Sequence, residues 1–397
     1  MDGDILTIPA QRLPAAKTVY VFTIAILFIT IITAPFKALF IARENIVYIS
    51  IVEICDGIIK LLFALSLAYI SYDKLITYSI MMTAIQCMNL LAFSLYGKWK
   101  FDECNLLVSK KLLNKQAMKQ LTGFAGWTTY GMGALAARNQ GTAIILNHFF
   151  GTVINAAYGI ANQVNFAIFF ISSSIVNAMN PQIMKAEGEG NRQLAFNLAI
   201  QESKYSTTLL SIAAIPLLIE MPTLLNLWLE EVPDNTALFC TFILSSCLVD
   251  QLTIGLNAVN QAMGNIRTYS LLMFTPKLII LPIAVCLLHY NYSVVSVFWL
   301  TLLIELAVAI MRLPYLKHSA GLKIWDYIKD AILPVIPMIL MMLIVGFCIS
   351  TFIRIPGRFL LTISLSVCTG LITAWFFTFK KAEREYVTNL FKQKLHR

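Results

Sequence analysis

The sequence predicts an all-α polytopic membrane protein with about eleven transmembrane helices. Hydrophobic residues make up 58% of the 397 residues and charged residues only 13%, whereas a soluble domain carries about 25% charged residues. Eleven segments are apolar and long enough for a helix of about 20 residues, the length that crosses a bilayer. Basic residues also lie mostly on one side of the resulting topology, as the positive-inside rule requires.

The predicted spans follow one another along the whole chain. Their approximate bounds are 18–41, 47–70, 74–97, 121–149, 152–180, 203–226, 236–260, 267–290, 292–312, 331–351 and 359–379. With the C-terminal tail placed in the cytoplasm, 21 of the 30 Lys and Arg residues fall on the cytoplasmic side and five fall outside. This asymmetry predicts the orientation and places the N-terminus outside.

Two basic segments on the cytoplasmic side are amphipathic, namely the linker 98–120 and the tail 380–397. Their Lys and Arg side chains would lie against anionic headgroups, which makes membrane lipids their partner. Positive-inside anchoring without a specific partner explains the same charges. Basic runs are not interleaved with aromatic residues, so we predict no nucleic-acid binding.

The sequence carries none of the motifs that mark common catalytic, nucleotide or metal sites. The eight cysteines form no CxxC pair and are interpreted as small buried residues. The four histidines are scattered, without the i, i+4 spacing of a helical metal site. A nucleophile elbow, a P-loop and a dinucleotide fingerprint are all missing. We therefore predict no enzyme activity, no metal and no cofactor.

The second span carries three ionisable residues on one helical face. Glu53, Asp56 and Lys60 are spaced i, i+3 and i+7, which aligns them along one side of a helix. In one interpretation Asp56 and Lys60 neutralise each other and only help the helix to pack. In the other, all three face a cavity, where Lys60 contacts an anion or a carboxylate couples transport to Na⁺ or H⁺.

The fourth span places Arg138 near the middle of the membrane. An arginine there costs at least about 2.5–3.5 kcal/mol, and something must offset that cost. One interpretation is a buried partner such as Glu53 or Asp56. The other is an anionic substrate, because the planar guanidinium fork suits phosphate oxygens.

The fifth span carries a stripe of amides and aromatic rings. Asn155, Tyr158, Asn162, Asn165 and Phe169 are separated by three or four residues, so they share one helical face. Such a stripe suits a glycan, since amides bind hydroxyl groups and rings stack on sugar faces. Hydrogen bonds between helices are the alternative use of the amides.

Four more charged residues lie in or at the ends of later spans: Asp250, Lys277, Glu305 and Arg312. Glu305 and Arg312 are seven residues apart in the ninth span, and Lys277 lies between two prolines of the eighth. Taken singly, these features predict no particular site.

The junction of the first and second spans is similar to the junction of the seventh and eighth. At an offset of 220 residues, five of thirteen positions are identical between ALFIARENIVYIS and AVNQAMGNIRTYS. Transporters are commonly built from such repeats. Three spans precede the seventh span in its half of the chain. We therefore expect that three spans, about 100 residues, are missing before the first span; a genuine eleven-span variant is the alternative.

Four segments carry a resemblance to a known family. They are FAGWTTYGMGALAARNQGTAIILNHFFGTVINAAYGIANQV, MNPQIMKAEGEGN, PLLIEMPTLLNLWLEEVPDNT and NAVNQAMGNIRTY. These segments resemble the polysaccharide-exporter branch of the multidrug/oligosaccharidyl-lipid/polysaccharide (MOP) flippase superfamily, which is related to the MATE transporters. More closely, the segments resemble Wzx-type polysaccharide and O-antigen flippases.

The resemblance implies a MOP/MATE-like architecture of two helical bundles around a central cavity. In that scheme residues 1–97 are the remaining three spans of an incomplete N-terminal bundle and 98–120 are the linker. Residues 121–312 are the six-span C-terminal bundle, 313–379 are two additional C-terminal spans and 380–397 are the basic cytoplasmic tail.

The implied function is to flip an undecaprenyl-diphosphate-linked oligosaccharide across the cell inner membrane for polysaccharide, lipopolysaccharide or O-antigen biosynthesis. The lipid-linked oligosaccharide is the expected partner, with the polysaccharide polymerase machinery as a further one. On the residues themselves, the expected contacts to diphosphate are Arg138 and Lys60, and those to glycan are Asn155, Tyr158, Asn162 and Asn165.

Two other functions fit the same sequence. One is an ion-coupled multidrug antiporter of the same superfamily, which would depend on Glu53 or Asp56. The other is a truncated remnant that does not transport. The first would tolerate the loss of Lys60 and Arg138, and the second would regain export only when extended by about three spans.

Overall fold

The computed structural model describes residues 13–69, 72–101, 104, 115–264, 266–353, 355, 357–381, 383–385 and 388–389. All regular structure in these ranges is helical. The helices are α1 (Leu13–Ala42), α2 (Ile46–Ser66), α3 (Lys74–Lys100), α4 (Lys115–Gly188), α5 (Arg192–Ile219), α6 (Met221–Trp228), α7 (Thr236–Gln251), α8 (Ile254–Ala262), α9 (Ile266–His289), α10 (Val295–Ala320), α11 (Ile324–Tyr327), α12 (Ile336–Phe352) and α13 (Arg358–Thr373).

Seven helical segments in the described part of the chain are long and apolar enough to cross a membrane, or up to nine if each of two bent helix pairs forms one span. Helix α2 is not among the seven because it carries three charges, Glu53, Asp56 and Lys60, in 21 residues. The chain is thus an all-α, multi-pass membrane protein. The count of eleven spans and the two-bundle architecture stay predictions.

Two compact units make up the chain, Met1–Asn114 and Lys115–Arg397. Their boundary falls within the predicted linker 98–120, of which residues 102–103 and 105–114 lie outside the described part. Residues 382, 386–387 and 390–397 of the predicted tail lie outside it as well.

The first unit is held together by apolar packing of α1 and α2 on α3. Its buried centre is aromatic: the Phe40 and Tyr48 rings stack with centroids 5.0 Å apart, and the Tyr48 and Tyr96 rings stack at 4.1 Å. The Tyr48 hydroxyl donates to the Ala92 carbonyl at 2.8 Å. This bond satisfies the polar end of a side chain whose ring lies in the aromatic cluster.

Helix α4 consists of two halves that meet at Gly151, whose φ of 78° and ψ of −170° are not helical. A straight helix would hold residues 139 and 158 about 28 Å apart. Instead, the Tyr158 hydroxyl lies 3.4 Å from the Asn139 carbonyl oxygen. The chain therefore reverses direction at Gly151, where glycine tolerates the positive φ. The predicted spans 121–149 and 152–180 correspond to these two halves.

The second unit is organised around α4, α5, α7, α9 and α10. Helix α5 packs on α4 and α8 and also on α12 and α13, which together form the C-terminal hairpin of the unit. Helix α10 continues beyond the predicted end of its span at residue 312 to Ala320, where Gly321 adopts a left-handed conformation and ends the helix. Basic side chains in the last turn of α10 interact favourably with the carbonyl end of the helix. The basic residues after position 312 therefore do not mark the start of a loop.

Two helix breaks shape this unit. Helices α5 and α6 are bent by 79° at Glu220, and helices α7 and α8 by 48° at residues 252–253. At the first break, the buried Glu220 carboxylate accepts hydrogen bonds from Arg358 at 3.0 Å and from Thr362 at 2.7 Å. These bonds tie the break to α13 and satisfy a buried charge.

Candidate functional site

Four helices of the second unit bring five charged side chains together in its interior. Arg138 comes from the first half of α4, Asp250 from the end of α7, Lys277 from α9, and Glu305 and Arg312 from α10. We refer to these five residues as the charge cluster. Because they come from separate parts of the chain, the cluster exists only where the four helices pack against one another.

Glu305 lies at the centre of one half of the cluster. Its Oε1 accepts a hydrogen bond from Arg138 Nη1, and its Oε2 lies 2.7 Å from Lys277 Nζ. The side chains of Glu305 and Lys277 are only 5% and 6% exposed. One carboxylate therefore serves two cations, as a buried charge in an apolar helix bundle must be paired.

Asp250 and Arg312 form the other half. Arg312 Nη2 donates to Asp250 Oδ1 at 2.7 Å, and Arg312 Nη1 donates to Thr253 Oγ1 at 2.8 Å. Lys277 Nζ lies 3.8 Å from the same oxygen of Asp250. Lys277 therefore joins the two halves into one network.

The cluster contains three cationic groups and two carboxylates, so it carries one surplus positive charge when all five are ionised. A buried surplus charge is costly in an apolar environment. An anion that entered the cluster would lower that cost. The Arg138 side chain is 19% exposed, compared with 6% for both Lys277 and Arg312, so Arg138 is the cation that an anion reaches most easily.

The bend between α7 and α8 is stabilised from α5, α10 and α11. Besides the Arg312 bond, the Tyr327 hydroxyl lies 2.7 Å from Ser203 Oγ and 2.9 Å from the Leu252 carbonyl oxygen. Ser203 Oγ also accepts from the Gly255 amide at 2.9 Å. The first amides of a helix have no intrahelical acceptor, so Ser203 satisfies one of those at the start of α8. The cluster is thus directly connected to a helix break.

Arg138 and part of the predicted stripe on the fifth span are close together. Arg138 donates to Asn139 Oδ1 from Nε at 3.1 Å and from Nη2 at 3.0 Å, and the Tyr158 hydroxyl bonds to the carbonyl of the same Asn139. Tyr158 is nevertheless a core residue, since it is buried and its ring lies 6.0 Å from that of Phe298.

The amides of the stripe have different environments. Asn162 donates to the Tyr158 carbonyl of its own helix at 2.9 Å. The Oδ1 atom of Asn165 is buried and has no hydrogen-bond partner among the described residues. Asn155 is half-buried. Asn165 therefore carries a buried acceptor without a hydrogen bond from the described residues, which costs about 1–3 kcal/mol.

In the first unit, the three charges of α2 have local partners. Lys60 pairs with Asp56 at 2.6 Å, and Asn89 donates to Asp56 at 2.7 Å. Glu53 pairs with Lys37 at 2.6 Å. The geometry thus contains the Asp56–Lys60 pair that the packing interpretation requires, although the Lys60 side chain is still 43% exposed.

The partner of Arg138 differs from the carboxylates considered in the sequence interpretation. It is Glu305, 167 residues further along the chain, whereas Glu53 and Asp56 pair within their own unit. Reasoning from sequence did not identify the other four members of the cluster as one site. Their signal was present, since each is an ionisable residue in a membrane-length segment, and such residues usually pair with one another.

No family model, curated protein or solved structure matched this chain. The geometry of the cluster and of its surroundings therefore carries the functional conclusion.

Proposed function

We propose that this protein moves an undecaprenyl-diphosphate-linked oligosaccharide across the cell inner membrane, with Arg138 as the contact to the diphosphate. The observation that carries the proposal is the charge cluster with its surplus positive charge, located among membrane-length helices. Ionisable residues within membrane-spanning segments often mark substrate or ion pathways.

The geometry around Arg138 supports a large amphiphilic anion as the substrate. A guanidinium binds phosphate oxygens through two parallel hydrogen bonds. The Asn139 and Tyr158 contacts connect Arg138 to the amide-bearing half of α4. On that half, Asn155 and Asn165 are the candidates for glycan hydroxyls.

The test is export of surface polysaccharide in a strain whose chromosomal copy of the gene is deleted, with the chain supplied on a plasmid. We expect Arg138→Gln to lower surface glycan at least about tenfold, since it removes charge-assisted hydrogen bonds to the diphosphate, each worth about 1.5–3 kcal/mol. The matched control is Arg358→Gln. Arg358 also pairs with a buried carboxylate, that of Glu220 at 3.0 Å, but it lies outside the cluster.

Equal export by wild type and Arg138→Gln at equal membrane abundance would refute the proposed role of Arg138. If the wild-type chain restores no export at all, the proposed function fails and the non-transporting alternative is favoured.

An ion-coupled multidrug antiporter is the second candidate, and the environment of Asp56 favours it. Asp56 is an acidic residue in a helix of 21 residues, and its side chain is 16% exposed. Acidic residues in membrane-spanning segments mark ion pathways and proton relays. This function predicts that Asp56→Asn abolishes drug resistance while Arg138→Gln has no effect.

A further inference from the structure

The charge cluster contains its own competitor for an incoming anion. Among the described residues, Arg138 donates from all three guanidinium nitrogens: Nη1 to Glu305, and Nε and Nη2 to Asn139. These bonds use three of the five N–H groups of the fork, and one N–H group remains on each of Nη1 and Nη2. A phosphate that binds this Nη1–Nη2 edge through two parallel bonds would lie beside the Glu305 carboxylate, and the two anions would repel each other. Glu305 therefore competes by its charge for the edge of Arg138 that a phosphate would bind.

Glu305 can release Arg138 without becoming an unpaired buried charge. Its second oxygen lies 2.7 Å from Lys277 Nζ, and both side chains are buried. After an exchange, the carboxylate would keep Lys277 and the anion would gain Arg138. Breaking a buried pair is strongly destabilising only when a charge is left without a partner.

The remaining half of the cluster is not suited to such an exchange. Arg312 is bound to both Asp250 and Thr253 and is only 6% exposed. The exchange is therefore confined to the Arg138–Glu305 pair.

We propose that Glu305 is an internal counter-anion that occupies Arg138 in the absence of substrate, sets the affinity of the site, and is replaced on Arg138 by the substrate diphosphate. This inference rests on the proposed function, because it takes the diphosphate group as the ligand. It assigns to Glu305 and Lys277 a role in substrate affinity in addition to their role in packing.

The experiment measures binding of farnesyl diphosphate, a short isoprenoid diphosphate, to the purified full-length chain in nanodiscs. Glu305→Gln removes the competing charge, so we expect it to lower the Kd about fivefold or more, within the usual range of coupling between sites. Loss of a residue with only a structural role would leave Kd unchanged or raise it. The matched control is Glu220→Gln, because Glu220 is equally buried and also paired with an arginine; its Kd should equal that of wild type.

A second comparison covers the case in which Glu305→Gln does not fold. Lys277→Met removes the cation that retains Glu305, and the double variant Lys277→Met/Glu305→Gln then removes the competitor as well. The double variant should bind farnesyl diphosphate more tightly than Lys277→Met alone. Equal or weaker binding when Glu305 is neutralised, in either background, overturns the inference.

The exchange at Glu305 and the recognition of diphosphate by the charge cluster can be refuted separately. If wild type binds and Arg138→Gln loses binding, but neutralising Glu305 brings no gain, only the exchange is refuted. If wild type does not bind farnesyl diphosphate, or if Arg138→Gln binds it as well as wild type does, diphosphate recognition by the cluster is refuted and the exchange with it.

Discussion

Gly255 is the position where a single methyl group should separate two packed helices. It lies in the first turn of α8, directly against α5. A Cβ atom added to Gly255 would lie 2.2 Å from the Ala199 carbonyl oxygen and 2.8 Å from its carbon. Backbone atoms cannot rotate away as the end of a flexible side chain can, so Gly255→Ala requires the helices to move apart.

The size of the effect follows from these distances. An ordinary carbon-to-oxygen contact is about 3.3 Å, so the helices must separate by about 1 Å. The Gly255 amide lies 2.9 Å from Ser203 Oγ, and that separation breaks the bond. Overpacking costs about 1–3 kcal/mol and a buried unsatisfied group about 1–3 kcal/mol. Alanine returns about 1 kcal/mol of helix propensity, which leaves a net loss of about 1–5 kcal/mol.

The assay is thermal unfolding of the purified chain in detergent, followed by intrinsic tryptophan fluorescence. We expect Gly255→Ala to lower Tm by at least about 2–4 °C. The matched control is Gly133→Ala in α4, where the added methyl group meets no atom within 4 Å, so Tm should stay constant or rise. Equal Tm values for Gly255→Ala and wild type would refute the close approach of α5 and α8.

Three further predictions use the same unfolding assay. Tyr327→Phe removes the hydroxyl that lies 2.9 Å from a carbonyl oxygen at the α7–α8 bend, and it should cost about 1–3 kcal/mol; an unchanged Tm would argue against this role. Burial alone would raise the pKa of Glu383, but hydrogen bonding, chiefly from Lys204, lowers it overall. Because the pKa of Glu383 is lower in the folded chain than in the unfolded chain, the charged carboxylate stabilises the fold at any pH above the unfolded-state pKa. This stabilisation is lost as the pH falls through the folded-state pKa. The Tm difference between wild type and Glu383→Gln should therefore be larger at about pH 7 than in acid and should shrink as the pH falls through the folded-state pKa, and a pH-independent difference would contradict it. Asp73→Ala removes the cap that accepts from the Leu75 amide at 2.9 Å and should cost about 0.5–2 kcal/mol, whereas Asp73→Asn, which keeps a capping oxygen, should cost less.

Most helices of this protein could be located from its sequence because apolar length is a local property. Each predicted span overlaps one or two helices of the described chain, as expected because a segment in lipid must satisfy its backbone hydrogen bonds internally. The sequence signal was weaker where the chain bends. The breaks at Glu220 and at Thr253 depend on side chains from α13, α10 and α11, and a local pattern does not contain them.

The candidate site could be predicted only in part. Arg138 is recognisable because an arginine in a membrane-length segment needs compensation. The identity of the compensating group was not recognisable, since helical spacing predicts which face a residue occupies and not which helix lies opposite. For Tyr158, the stripe pattern fits both a ligand contact and a core residue, and its burial against Phe298 makes it a core residue.

The sequence by itself determined that this is an all-α membrane protein and that its later spans carry unusual charges, because hydropathy and charge are properties of the residues alone. Only the tertiary structure decided that Arg138 pairs with Glu305, that Lys277 connects this pair to Asp250 and Arg312, and that the network adjoins a helix break. The physical reason is that an ion pair requires its charged groups to lie within about 4 Å of each other. Between residues far apart in the chain, that distance is set by the packing of whole helices.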